Sequence, residues 1–206
     1  ADETSTVGDT VTLSFSAGEA IQTPTVAVTV GGSSAAGSVA VANTSGNDWT
    51  ATFTLASGDT EGVVAFTIDF SDTAGNAGTQ VTSTSDSSSV TFDKTAPTLT
   101  SVSIDSNNPT SSGANEIAKV GDVVTLSFSA GEAIQTPTVA ITVGGSSAAG
   151  SVAVANTSGN DWTATFTLAS GDTEGVVAFT IDFSDTAGNA GVQVTSTSDS
   201  SSVTFD

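Results

Sequence analysis

Carboxylates supply nearly all the reactive side chains of this sequence: 22 Asp and Glu stand against two Lys (Lys94 and Lys119), for a formal net charge of −20 over 206 residues. Three of the acids sit where chemistry could be done. Asp93 closes an apolar run, Glu132 follows Ser129-Ala130-Gly131, and Asp185 begins Asp185-Thr186-Ala187-Gly188-Asn189. Oxygen ligands of this kind suit Ca2+, which takes about six to eight oxygens from carboxylates, carbonyls and Asn side chains. Asn189 or a loop carbonyl would complete the set, and Glu19 and Asp72 are the matching acids of the first half. The same residues have a second use: Asp185 can hold a tight reversal by accepting backbone N–H bonds. Both readings stay open, and no EF-hand or glycine-aspartate nonapeptide motif decides between them.

The rest of the inventory excludes more than it offers. There is no Cys, His, Met or Tyr, so His-based triads, thiol chemistry, His-ligated zinc and haem ligation cannot be assembled. The expectation is a protein that is not an enzyme. Nucleic acid needs clustered Lys and Arg and is not an expected partner, and acidic lipid surfaces are disfavoured for the same reason. No apolar run reaches membrane-spanning length, so direct membrane insertion is not expected either.

The elements that must position these acids follow from an internal repeat. Residues 7–93 reappear as 120–206 with three changes, Thr10/Val123, Val28/Ile141 and Thr79/Val192. A repeat this long marks tandem domains rather than a solenoid. The domains are read as 1–93 and 94–206, with 94–97 as linker. The segment Lys94–Gly113 occurs once, so the first domain is expected to lack its first strand and to carry an open edge or groove. Excision from a longer array is the preferred account, with tolerance of the loss and strand donation from a neighbour as alternatives.

Alternation identifies the strands. Trp162, Ala164, Phe166 and Leu168 share one face while Asp161, Thr163, Thr165 and Thr167 share the other, which is the period of a half-buried strand. Val177, Phe179, Ile181 and Phe183 repeat the pattern. Seven strands are expected near 98–105, 120–129, 137–143, 150–155, 161–168, 175–184 and 191–205, the last interrupted around Asp199. Turn residues such as Gly144-Gly145 and Ser170-Gly171-Asp172 separate them. The fold class is therefore all-β, two tandem immunoglobulin-like sandwiches, with Trp49 and Trp162 as core anchors.

Register brings the acids together. Asp185 continues the inward series Phe179, Ile181, Phe183, and Glu132 continues Val124, Leu126, Phe128, Ala130. Asp93 precedes the chain's arrival at the same pole. Three carboxylates there would repel one another without a cation. A second set, Asp59 and Glu61 with Asp172 and Glu174, reads as solvated turns, or as an addition to the same site.

The run Phe92-Asp93-Lys94-Thr95-Ala96-Pro97, with Ser129-Ala130-Gly131-Glu132 and Asp185-Thr186-Ala187-Gly188-Asn189, resembles the bacterial Ig-like repeats of giant adhesins and biofilm-associated surface proteins. The resemblance implies extracellular, cell-surface spacer domains with neighbouring identical repeats as partners. It also implies calcium at the joints between domains, with Asp93, Glu132 and Asp185 as ligands. The alternatives are a filament subunit assembled by β-strand complementation, and a glycan-binding adhesin module.

Overall fold

A computed structural model describes residues 2–206, and among them there is no helix. Contacts divide the chain into two compact units, the first ending at Thr95 and the second running Ala96–Asp206. The second unit holds β9 (Leu99–Ser106), β10 (Asn115–Ala118), β11 (Val123–Ala130), β12 (Thr138–Val143), β13 (Ser146–Ser147), β14 (Ala153–Ser158), β15 (Asp161–Thr167), β16 (Gly175–Asp182) and β17 (Ser202–Phe205). One of its sheets runs β10-β17-β16-β12-β13 and the other β14-β15-β11-β9. These are the two face-packed sheets of an immunoglobulin-like sandwich.

The alternation read from the sequence becomes burial. Phe166, Ala164 and Trp162 point inward from β15 at 4%, 1% and 8% exposure, against Val124, Leu126 and Phe128 of the neighbouring β11. From the opposite sheet, Val177, Phe179 and Ile181 of β16 close the layer. Close approach replaces side chains in one place: a Cβ at Gly191 would lie 2.3 Å from the ring of Phe183, so only glycine lets the chain lie flat on that ring.

The first unit repeats the plan with β1 (Asp2–Ser5), β2 (Thr10–Ser16), β3 (Thr25–Val30), β4 (Ser33–Ser34), β5 (Ala40–Ser45), β6 (Asp48–Thr54), β7 (Gly62–Asp69) and β8 (Ser89–Phe92). Its larger sheet, β1-β8-β7-β3-β4, matches the second unit's strand for strand. Its other sheet is only β2-β6-β5, so β2 forms an edge where β11 pairs with β9. The expected open edge is therefore present. Leu13, Phe15 and Val90 are half-buried, whereas Leu126, Phe128 and Val203 are 1%, 2% and 0% exposed.

Two expectations need correction. The strand read at 191–205 is interrupted at Asp199 as expected, where Asp199 accepts bonds from the backbone and hydroxyl of Ser201 (3.0 and 2.7 Å) and Ser200 turns to φ 64°, but its ladder is confined to β17. Residues 190 and 194 keep only isolated bridges to the 181–184 segment. The short strands β10 and β1, which pair in parallel with β17 and β8, were not expected at all.

The difference in closure is measurable. Leu126→Ala should destabilise the second unit by about 2–5 kcal/mol, the range for emptying a closed core site. Leu13→Ala should cost the first unit clearly less. Urea midpoints of single-tryptophan chains retaining Trp162 or Trp49 check this, and equal losses would contradict it.

Candidate functional site

Within the second unit, the loops after β11 and β16 meet. An isolated bridge joins Ile134 to Asp185, and the Gln135 N–H donates to the Ser184 carbonyl at 2.9 Å. This pairing places Glu132 and Asp185 at the end of the sandwich where β9 begins. One carboxylate oxygen of each lies within 4.8 Å of the other.

Asp185 is 1% exposed, as the inward series predicts. Its Oδ1 accepts the N–H groups of Gly188 and Asn189 at 2.7 and 2.8 Å, and its Oδ2 accepts the Asn189 side-chain amide at 2.8 Å. The turn-holding role is therefore real. These donors also offset the cost of burying a carboxylate and fix its orientation. Asn189 contributes its amide nitrogen to Asp185, which serves the turn. Lys119 lies before β11, at the other end of that strand from Glu132.

The first unit has the same turn in a more open setting. Asp72 accepts from the Asn76 backbone and side-chain amide at 2.8 and 2.7 Å, and those bonds hold its carboxyl below the usual value. It is half-buried, and Glu19 is exposed. Among the described residues, Glu19 and Asp72 are not part of any acidic cluster compact enough to hold a metal ion.

Asp93 belongs to the first unit, its N–H bonded to the Ser5 carbonyl at 3.0 Å and its Oδ1 accepting the Thr95 N–H at 3.0 Å. The residues after it are tied to the loop that joins β6 to β7. Glu61 Oε1 accepts the Lys94 N–H at 2.8 Å and the Thr95 hydroxyl at 2.7 Å. The Lys94 ammonium donates to the carbonyls of Asp59 (2.7 Å) and Ser57 (3.0 Å) and stands 5.9 Å from the Phe92 ring centroid. On the far side of the linker Pro97 is fully buried, and the Thr98 carbonyl accepts the Gly131 N–H at 2.9 Å, next to Glu132. Ala96 alone lies between these two sets of attachments.

In the second acidic set Glu61 and Glu174 are solvent-exposed, as read, but the two aspartates hold their loops. Asp59 is 2% exposed and clamps the loop by accepting from Ala36 and Ala56 at 2.6 and 2.8 Å, as Asp172 does from Ala149 and Ala169. Glu61 as anchor of the linker was missed by sequence reasoning. Only its place in a loop near the domain end could have pointed to it.

No family model and no curated protein matches the chain. Among solved structures, an I-band fragment of titin is similar over 100% of this chain and 62% of its own, at 13% identity and a TM-score of 0.49. A titin Ig tandem is similar over 100% and 92% at 16% identity and a TM-score of 0.30, and the tandem Ig repeats of Dlar over 100% and 93% at 11% and 0.29. The chain spans less than two thirds of the I-band fragment, and these likenesses concern fold alone.

The Thr95 hydroxyl, then the Lys94 N–H, hold the Glu61 carboxyl below its ordinary value of 4.5. A depressed folded pKa means that the anchor is complete above about pH 4.5 and is lost as pH falls through the folded value. Amide shifts of Lys94 and Thr95 should therefore titrate together in acid. Glu61→Gln should remove that step while leaving the amides of β15 unmoved.

Proposed function

We propose that the two sandwiches are extender repeats of a bacterial cell-surface adhesin, and that Ca2+ clamps the joint between them. The observation that carries this reading is the carboxylate pair of Glu132 and Asp185, brought within 4.8 Å on one pole of the second unit. Two like charges this close favour a cation between them. Two Ca–O bonds of about 2.3–2.6 Å each span such a separation, so the donor set fits.

Asp93 is the third ligand in this proposal. Five peptide steps separate it from Thr98, giving a maximal reach of about 17 Å, and Thr98 is bonded beside Glu132. Asp185 enters with its orientation already set by three donors, so little ordering is left for the ion to induce. Calcium bound in this way supplies charge neutralisation and a crosslink between linker and pole. Extracellular modules of this kind work at about 10⁻⁴–10⁻³ M calcium, which agrees with the cell-surface location we propose.

The linker favours a spacer on separate grounds. Lys94 and Thr95 are bonded within the first unit and Thr98 within the second, so both ends of the linker are anchored. Catalysis has no candidate beyond carboxylates that hold turns. Recognition hot spots, usually Trp, Tyr or Arg at a surface, have no basis here, because both Trp are core residues.

Small-angle scattering of the chain in millimolar calcium and in chelator tests the clamp. The maximum dimension should increase with calcium and the flexibility signature should fall. Glu132→Gln should abolish that response and leave the calcium-free profile unchanged. Identical profiles in both buffers would sink the proposal.

A further inference from the structure

The sheets of the second unit end in four edge strands, β10, β13, β14 and β9, and three of these edges are closed. Along the outer edge of β9, Ser198 Oγ accepts the Val102 N–H at 2.9 Å, Ser201 Oγ the Ile104 N–H at 2.9 Å and Glu116 Oε2 the Ser106 N–H at 2.7 Å. The outer edge of β10 is held by the loop before it. There Ser111 Oγ accepts the Ile117 N–H and the Asn108 side-chain amide donates to the Ile117 carbonyl, both at 2.7 Å. β13 is only two residues long, and Asp172 takes the nearby Ala149 N–H at 2.6 Å.

β14 has no such closure. The Ala130 N–H donates to the Asn160 carbonyl and the Leu168 N–H to the Asp122 carbonyl, so even-numbered residues of β15 bond toward β11 and odd-numbered ones toward β14. Ala153 and Ala155, opposite Thr165 and Thr163, therefore spend their main-chain groups within the sheet. Val154 and Asn156 turn theirs outward, and among the described residues nothing caps them. Exposed edges are normally blunted by charge, proline or a bulge. From Ala153 to Gly159 there is no charged residue and no proline, in a chain of net charge −20. The one bulge falls after Asn156, at the hairpin end.

The first unit carries the same edge. Residues 40–45 repeat 153–158 without a change, and β5 pairs with β6 in the same register, Ala40 opposite Thr52 and Ala42 opposite Thr50. Val41 and Asn43 are the outward residues there. The edge is thus alike in a unit that has β9 and in one that does not.

We propose that this edge pairs with its own counterpart on a second copy of the chain, antiparallel, joining two sheets into one across a two-fold axis. Ala155 faces Ala155 of the second copy, and Val154 and Asn156 each exchange two main-chain bonds across the axis. The occupant follows from the edge itself. Its unmet groups are donors and acceptors at strand spacing, which another extended strand satisfies. A partner chosen by charge finds nothing on this strand to pair with. An isologous contact requires self-complementarity, and small uncharged alanines meeting on the axis provide it. Each contact is weak, but repeats lying side by side present many and raise one another's effective concentration. Lateral joining of rods in this way rests on the extender reading, whereas the pairing of edges does not.

The chain has no Cys, so one introduced thiol reports one contact. Directly opposed residues of a non-hydrogen-bonded pair stand about 4.5 Å apart at Cα, within disulfide reach. In chelator and about 0.5 M NaCl, which screens the net charge, Ala155→Cys chains should oxidise to dimers at least tenfold faster than Ala178→Cys chains. Ala178 is equally exposed but lies on the central strand β16. By sedimentation equilibrium, the mass of the unaltered chain should rise with concentration. Ala42→Asp/Ala155→Asp should abolish that rise by placing like charges on the axis, and so should Ala42→Lys/Ala155→Lys. An equimolar mixture of these two variants, each with an unchanged unfolding midpoint, should restore it. Equal oxidation rates at 155 and 178, a mixture no heavier than its components, or association that persists in both variants would overturn the proposal. Chelator excludes calcium throughout, so these results judge the edge and leave the clamp to the scattering experiment.

Discussion

A sandwich of two sheets is stable only where the apolar layer between them is covered on both flanks, and in this chain one strand decides whether it is. In the second unit β9 pairs with β11 on one side and takes hydroxyl and carboxylate partners from the opposite sheet on the other. It is therefore both an edge strand and a clasp between layers. In the first unit the same core sequence faces a groove, and Leu13, Phe15 and Phe66 lose their cover. Two units almost identical in residues differ as folded objects because of one segment that is not repeated.

The acids have a common task beneath their net charge. Asp59, Asp72, Asp86, Asp172, Asp185 and Asp199 each accept at least one backbone N–H in a loop. Charge-assisted bonds to the main chain are stronger than neutral ones and satisfy groups that a turn would otherwise leave unpaired. Carboxylates here act largely as turn acceptors, and the Glu132–Asp185 pair stands apart because an oxygen of each also lies within 4.8 Å of the other.

Much of the fold was legible in the sequence because its strands bury one face and expose the other. Trp162 to Leu168 and Val177 to Phe183 show this directly, and the same period carried Asp185 into the core layer correctly. The parts that were not legible obey other rules. β10 and β13 are too short for a period to appear, and residues 191–201 pair through separate backbone bonds at Gly191, Val194 and Ser198 and through the Asp199 turn rather than through a ladder. The site was legible in the same uneven way. Register found Asp185 and Glu132, but Glu61 reaches the linker through loop closure, which no spacing encodes.

The parallel pairing of β1 with β8 and of β10 with β17 has a mechanical meaning. In the first unit β1 lies beside β8, and in the second β10, which follows β9, lies beside β17, each pair running the same way. Tension drawn through the ends pulls the two strands in opposite senses along their length. The hydrogen bonds between them are then loaded in shear, all at once, and must fail together rather than open one after another as in a peeled hairpin. Resistance to stretching is thereby built into the β1–β8 and β10–β17 pairs.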